Sequence, residues 1–256
     1  MTFETLLLTL AALIVGLSKG GLASAAAIAV PLLALFMNPV TAAALLLPVY
    51  ILTDWVGVWL YRKDFSTRNL LILTPAMLFG IAIATLITPY TPESVLLIFT
   101  GLIGLWHTLR VWLRAWLRRG PHPQTEAHIL PGIFWGTLTG IASFITHSGA
   151  PPAQAYLLPQ GLSRLTFAGT IAIAFAIGNL VKLPAYWAIG QLDGLNWGLI
   201  GALSVAGLAG TFAGRWLVAR LSDAHYMRVI QILLFVLSVI LLIRGTLTLT
   251  GTALAA

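Results

Sequence analysis

The fold is decided by two polar interruptions of apolar sequence, Gly16-Leu17-Ser18-Lys19-Gly20-Gly21 and Thr146-His147-Ser148-Gly149-Ala150-Pro151-Pro152. The neighbouring apolar runs 3–18, 21–37 and 150–161 are shorter than the roughly 20 residues that cross a bilayer comfortably. We therefore predict that each interruption is the break of a broken or re-entrant helix. Because lipid cannot hydrogen-bond the exposed backbone of a break, both breaks should lie inside the protein.

The composition outside these breaks indicates a membrane protein. Of the 256 residues, 59% are hydrophobic and only 8% are charged, which leaves too little polar surface to coat a soluble globule. The net charge of +7 does not indicate nucleic-acid binding, because the basic residues lie mostly in short loops. The absence of cysteine excludes disulfides and thiolate metal sites, and we predict no metal and no cofactor.

Apolar segments occupy almost the whole sequence, and we predict an all-α polytopic membrane protein with about 8–10 membrane segments in one membrane domain. The predicted segments are 3–18, 21–37, 39–61, 69–88, 93–117, 128–146, 150–161, 165–190, 195–219 and 226–249.

Loop charges predict the orientation, because cytoplasmic loops are enriched in Lys and Arg. Three loop regions are basic, and they carry Arg62, Lys63 and Arg68; Arg110, Arg114, Arg118 and Arg119; and Arg215, Arg220 and Arg228. The connections 88–93 and 191–196 contain no Lys or Arg. We therefore predict a multi-pass protein of the bacterial inner membrane with both termini in the periplasm.

The orientation also predicts two inverted repeats, at residues 1–119 and 128–256, joined by a cytoplasmic linker at 120–127. An ungapped alignment that begins with Thr41 opposite Thr166 places Asp54 opposite Asn179 and Gly57 opposite Lys182. After a slip of two residues, Gly80 falls opposite Gly207.

Ionisable residues at membrane depth are costly and mark candidate functional sites. The candidates are Lys19, Asp54, His147 and Lys182, supported by Ser18, Ser148, Gln154 and Asn179. The spacing of Asn179, Lys182 and Tyr186 places an amide, an ammonium and a phenol along one helical stripe, which suits an oxyanion.

Each of these residues also has a structural alternative. Lys19 either binds substrate or forms an ion pair with Asp54, and Lys182 either binds substrate or extends its ammonium to the membrane interface. His147 either bonds to the backbone or takes a substrate or proton role, so Asp54 and His147 are the proton-coupling candidates. Adjacent His147 and Ser148 lack a third orienting group, and we therefore predict no catalytic residues and no enzyme.

The two breaks offer further donors to an anion. Segments that begin after Gly21 and Gly149 present half-helix N-termini, whose partial positive charge and free N–H groups attract anions. We therefore include Gly20, Gly21, Ser148 and Gly149 among the predicted binding residues. Aromatic residues flank the predicted site, and Tyr156 is the residue whose removal we expect to weaken preference for an organic tail.

At these residues the chain resembles the TauE/SafE family of sulfite and organosulfonate transporters. The first half carries residues 16–21, Val30-Pro31-Leu32-Leu33, Leu46-Leu47-Pro48 and Asp54. The second half carries residues 147–152, Tyr156-Leu157-Leu158-Pro159, Gly169-Thr170 and the run from Asn179 to Tyr186. The resemblance implies inverted repeats, a central site near the paired breaks and transport of sulfur-containing anions, often considered proton-linked.

We predict from the residues and the resemblance a secondary transporter that moves a small sulfur-containing anion, an organosulfonate or sulfite. The expected partners are this anion, membrane lipid and a coupling proton. A passive anion channel and a non-transporting accessory membrane protein are the two alternatives. Saturable flux that accelerates with substrate on the opposite side would distinguish a carrier from a channel.

The predicted orientation can be tested with single cysteines in this cysteine-free chain. Cysteines at Thr91 and Asp193 should react with a membrane-impermeant maleimide added to intact cells, because both loops lack Lys and Arg. A cysteine at Thr125, in the predicted cytoplasmic linker, should react only after the membrane is opened. Labelling at Thr125 in intact cells would show that the orientation is the reverse of the predicted one.

Overall fold

The computed structural model describes residues 3–19, 25–117, 125–193, 195–218 and 223–250, and all regular elements in these ranges are helices. The α-helices are α1 Phe3–Lys19, α2 Ala26–Leu33, α3 Pro39–Tyr61, α4 Thr67–Ile87, α5 Glu93–Trp116, α6 Ile129–Thr146, α7 Ala150–Leu157, α8 Arg164–Ala188, α9 Trp197–Val218 and α10 Asp223–Leu249. Short 3-10 turns follow α4 at Thr88–Tyr90 and α7 at Leu158–Gln160.

The predicted all-α membrane fold is confirmed. Among the described residues, six helices are long and apolar enough to cross a membrane, with candidate spans at 39–59, 67–90, 93–113, 129–146, 165–188 and 197–214. The part of α10 from Leu234 to Leu249 is a shorter apolar helix. The chain is therefore a multi-pass membrane protein.

Polar caps begin the long helices where the apolar sequence begins. The side chain of Asn38 accepts a hydrogen bond from Val40 N at the start of α3, and Pro39 occupies the first turn. Ser66 and Ser163 cap α4 and α8 in the same way. These side-chain oxygens satisfy N–H groups that have no partner within the helix.

The helices around each break form a re-entrant hairpin. At the open end of the first hairpin, Phe3 in α1 and Phe36 just after α2 lie in edge-to-face contact with ring centroids 5.6 Å apart. At the open end of the second, Tyr156 in α7 donates to the carbonyl of His128, the N-cap of α6, at 3.1 Å. The outer ends of the two helices of each pair therefore lie together, which is the arrangement expected of a hairpin.

The outer ends of the two hairpins lie at opposite ends of the α3–α8 pair, because α3 and α8 are antiparallel. Thr41, near the start of α3, donates to the side chain of Gln191, just after α8, at 2.8 Å. At the other end of the pair, the backbone N–H of Ser66 donates to Thr170 Oγ1 at 2.9 Å. Since the first hairpin precedes α3 and the second precedes α8, their tips approach each other from opposite faces.

Within the described ranges, the four most extensive helix–helix contacts form a symmetric set: replacing each helix by its counterpart in the other half gives the same four pairs. Helix α1 packs on α9 and α6 packs on α4, while α3 packs on α8 and α5 packs on α10. Glycines allow the closest approaches: a Cβ on Gly16 would overlap the Gly207 carbonyl, and one on Gly140 would overlap the α4 backbone at Met77. The division into repeats 1–119 and 128–256 stays a prediction. Two equivalent repeats would produce this symmetric set of contacts.

Candidate functional site

A cavity of about 230 Å³ lies between the tips of the two hairpins and the α3–α8 pair. It extends from Asp54 and Asn179, in the middle of these helices, to Tyr61 and Phe167 near the face that carries Arg62 and Lys63. The lining residues come from both halves of the chain and include Ser18, Lys19, Ala26, Tyr50, Ser143, His147, Ala150, Gln154 and Phe175.

One wall of the cavity holds an ion pair between Lys19 and Asp54. Lys19 Nζ pairs with Asp54 Oδ1, and the side chains are 19% and 3% exposed, respectively. Asn179 Nδ2 donates to the other carboxylate oxygen, Oδ2, at 2.5 Å. The carboxylate is therefore bonded to one residue from each half, and the structure contains the ion pair that the sequence left as one alternative for Lys19.

Lys182 lies behind the cavity wall and is completely buried. Its Nζ lies 2.9 Å from the carbonyl of Ser143 and 2.9 Å from His147 Nδ1. Its ammonium therefore does not reach the membrane interface, which excludes that alternative. Ser143 and His147 line the cavity and separate Lys182 from it.

The hydrogen bonds of His147 define its tautomer. Nε2 lies 2.8 Å from the carbonyl of Ala43, which can only accept, so Nε2 carries the proton and Nδ1 accepts from Lys182. The residue ends α6 with a φ of 51°, a left-handed conformation that is uncommon for residues other than glycine. These bonds and the stacking of its ring on Tyr50, with centroids 4.2 Å apart, hold that conformation.

Several predicted binding residues lie away from the cavity. The hydroxyl of Tyr186 donates to the carbonyl of Phe144, and Ser148 bonds to Thr146 through both N and Oγ. Tyr156 lies against Gly132 at the outer end of its hairpin and does not line the cavity. The proposed binding role of these three residues stays a prediction, and Gly20 and Gly21 lie outside the described residues.

The start of α7 offers fewer backbone donors than a helix N-terminus usually does. Pro151 and Pro152 have no N–H, and the N–H of Ala153 donates to the carbonyl of Gly149 at 3.2 Å. Only the N–H groups of Gly149 and Ala150 remain in this turn. Backbone binding of an anion at this break is therefore limited to two donors, and Ala150 lines the cavity.

Residues 8–241, which include the second hairpin, the first hairpin except the start of α1, and the whole cavity, match the sequence model of the family described as Sulfite exporter TauE/SafE. The chain belongs to the TauE/SafE family. No curated protein and no solved structure matches it. Members of this family are transporters of sulfite and related sulfur compounds, and the membrane fold of this TauE/SafE protein agrees with that class.

Sequence reasoning expected aromatic residues beside the site but did not single out Phe175 in this TauE/SafE protein. Tyr50 stacks on His147 and lies 5.6 Å from Lys19 Nζ, and Phe175 forms part of the wall. Tyr50 precedes Asp54 by four residues, and Phe175 precedes Asn179 by four. The i, i+4 spacing from the polar residues would have placed both aromatic side chains on the same helix faces.

The ion pair in the TauE/SafE protein can be tested with a double-mutant cycle. Lys19→Met and Asp54→Asn each leave one member of a buried pair without its partner, which should cost about 3 kcal/mol of unfolding free energy. The double variant should be more stable than the less stable single variant, because no unpaired charge remains. Thermal unfolding of the purified proteins measures this difference, and a double variant that is no more stable would show that the two residues are not coupled.

Proposed function

We propose that this chain is a secondary transporter that moves a small sulfur-containing anion, an organosulfonate or sulfite, across the bacterial inner membrane, with both termini in the periplasm. The observation that carries the proposal is a cavity between the two hairpins that is lined by Lys19 and Asp54, with Lys182 buried behind its wall. Family membership supports a sulfur-containing cargo.

The balance of charges around the cavity favours a monovalent anion. Of the seven acidic residues in the sequence, Asp54 is the one within a helix beyond its first turn, while the other six lie in first turns or loops. With Lys19 and Lys182 both protonated, the cluster carries a net charge of +1. A positively charged cluster attracts anions, and a group with one negative charge can take the place of the single Asp54 carboxylate beside Lys19. A sulfonate group has that charge.

The cavity offers polar contacts to such a head group and an apolar wall to a tail. Lys19 is partly exposed to the cavity, and the Gln154 side chain lines it without a hydrogen-bond partner among the described residues. Phe167, Ile171 and Phe175 form the apolar part of the lining. A ring that buries roughly 100 Å² there would gain about 2.5 kcal/mol, so we expect aromatic or alkyl sulfonates to bind more tightly than sulfite.

The cavity extends toward one face, and this favours a carrier over a channel. Between Asp54 and the Thr41–Gln191 hydrogen bond lie the buried side chains of Tyr50, Phe144 and Tyr186. These rings occupy the path to that face, whereas the cavity extends toward the face of Arg62. Movement of one half against the other would open the path to the face of Thr41 and Gln191 and close the path to the face of Arg62.

Substitutions of Lys182, compared with a control substitution of an exposed lysine, test the proposed binding site. A charge buried behind the cavity wall would attract an anion bound in the cavity, and an interaction of about 2 kcal/mol corresponds to roughly thirtyfold in affinity. Lys182→Ala should therefore weaken thermal stabilisation of the purified protein by sulfonates strongly, and Lys182→Arg, which keeps the charge but changes its geometry, should retain part of it. Lys63→Ala, in an exposed loop, should bind like the wild type.

The test uses sulfite, sulfate, taurine, sulfoacetate and benzenesulfonate as ligands. Stabilisation by at least one of the sulfonates or sulfite, with strong loss in Lys182→Ala, partial retention in Lys182→Arg and no loss in Lys63→Ala, supports an anion site in the cavity. An absence of stabilisation by all five anions in the wild type would favour the non-transporting accessory protein.

A further inference from the structure

Asn179 has an unused hydrogen-bond acceptor at the centre of the protein. The residue is 2% exposed, and its Oδ1 has no hydrogen-bond partner, while its Nδ2 donates to Asp54 Oδ2 at 2.5 Å. An unpaired buried carbonyl costs free energy, because it has lost its hydrogen bonds to water. This carbonyl lies beside the Asp54 carboxylate, which would become a hydrogen-bond donor if it were protonated.

We propose that Asp54 and Asn179 form a proton latch with two states. In the state of this structure, Asp54 is ionised and its Oδ1 is paired with Lys19. In the second state a proton from water in the cavity adds to Oδ1, the ion pair opens, and the new O–H donates to Asn179 Oδ1. Lys19 is then free to bind the transported anion. This inference rests on the proposed function and adds to it how the proton and the anion are linked.

The complementarity of the two groups supports the second state. A protonated carboxyl has one donor and one acceptor side by side, and so does a primary amide, so the two groups can form a cyclic pair with two hydrogen bonds. One of these bonds, from Nδ2 to Oδ2, is already present. An ionised carboxylate has no proton for the other, which explains why Asn179 Oδ1 is unpaired here.

Asp54 is the titratable group that can exchange its ion pair with Lys19 for a proton. The titratable groups near it are Lys19 from α1, His147 at the end of α6, Tyr50 and Tyr61 on α3, and Lys182 on α8. His147 already uses both ring nitrogens, and Lys182 is buried behind it. Helix α9, which also packs on α3, adds no acid, histidine or lysine among its described side chains.

The exchange keeps the charge of the cavity constant. The anion replaces the Asp54 carboxylate as the partner of Lys19, while the proton neutralises Asp54. Leaving Asp54 ionised and unpaired beside a bound anion would place two negative charges together in a buried site, which is unfavourable. Anion and proton should therefore bind together.

The latch can be tested first without any anion, by infrared difference spectroscopy of the purified full-length protein during acidification. Because acidification also protonates the other carboxyls, the signal of Asp54 is the component of the carbonyl band that Asp54→Asn removes. This component should move to higher frequency in Asn179→Leu, which removes both hydrogen bonds. Asn69→Leu is the matched control, because Asn69 is also buried with an unpaired Oδ1 but lies away from Asp54. The absence of any component that Asp54→Asn removes, or a component whose frequency is unchanged in Asn179→Leu, would overturn the latch.

The second test measures proton uptake when benzenesulfonate binds, with a pH-indicator dye in weakly buffered solution. The wild type should take up about one proton per anion near neutral pH, as linked binding requires. Asp54→Asn, in which an amide replaces the protonated acid, should take up none. Binding to the wild type without proton uptake would overturn the latch and leave the proposed transporter intact, whereas an absence of binding by benzenesulfonate and by the other four anions would overturn both.

Discussion

A single carboxylate in the middle of the membrane constrains the rest of the structure. Asp54 is almost completely buried, and an unpaired charge at that depth is costly. Its partners are Lys19 at the end of α1 and Asn179 on α8, so α1 and α8 must both pack beside α3 to complete it. The glycine contacts of α1 with α9 and of α6 with α4 hold the two hairpins at that depth.

Each of the two hairpins contributes an ionisable residue to a different side of the site. The first contributes Lys19 and enters from the Thr41 side, while the second contributes His147 and enters from the Ser66 side. Asp54 and Asn179, which the internal alignment places opposite each other, are in direct contact between them. Neither half of the chain contains all of the polar contacts of this cluster.

The sequence predicted the helices well and the detailed contacts less well, for a physical reason. Segment 39–61 coincides with α3 because its ends carry the capping Asn38 and the basic Arg62. The stripe of Asn179, Lys182 and Tyr186 was expected to converge on one point, yet seven residues of helix span about 10 Å. The three side chains therefore bond to different partners, Asp54, Ser143 and Phe144. Spacing along one helix identifies a face, but the neighbouring helices determine what each residue contacts.

Counterflow in proteoliposomes tests most directly whether the central cavity carries an anion across the membrane. Vesicles containing the purified protein would be loaded with unlabelled benzenesulfonate, and uptake of the labelled compound would be followed over time and concentration. The account predicts saturable uptake that is faster in loaded than in empty vesicles, because the site must return to the outside. Uptake that rises linearly with concentration and is unaffected by internal substrate would indicate a channel, and uptake equal to that of protein-free vesicles would contradict transport of this sulfonate.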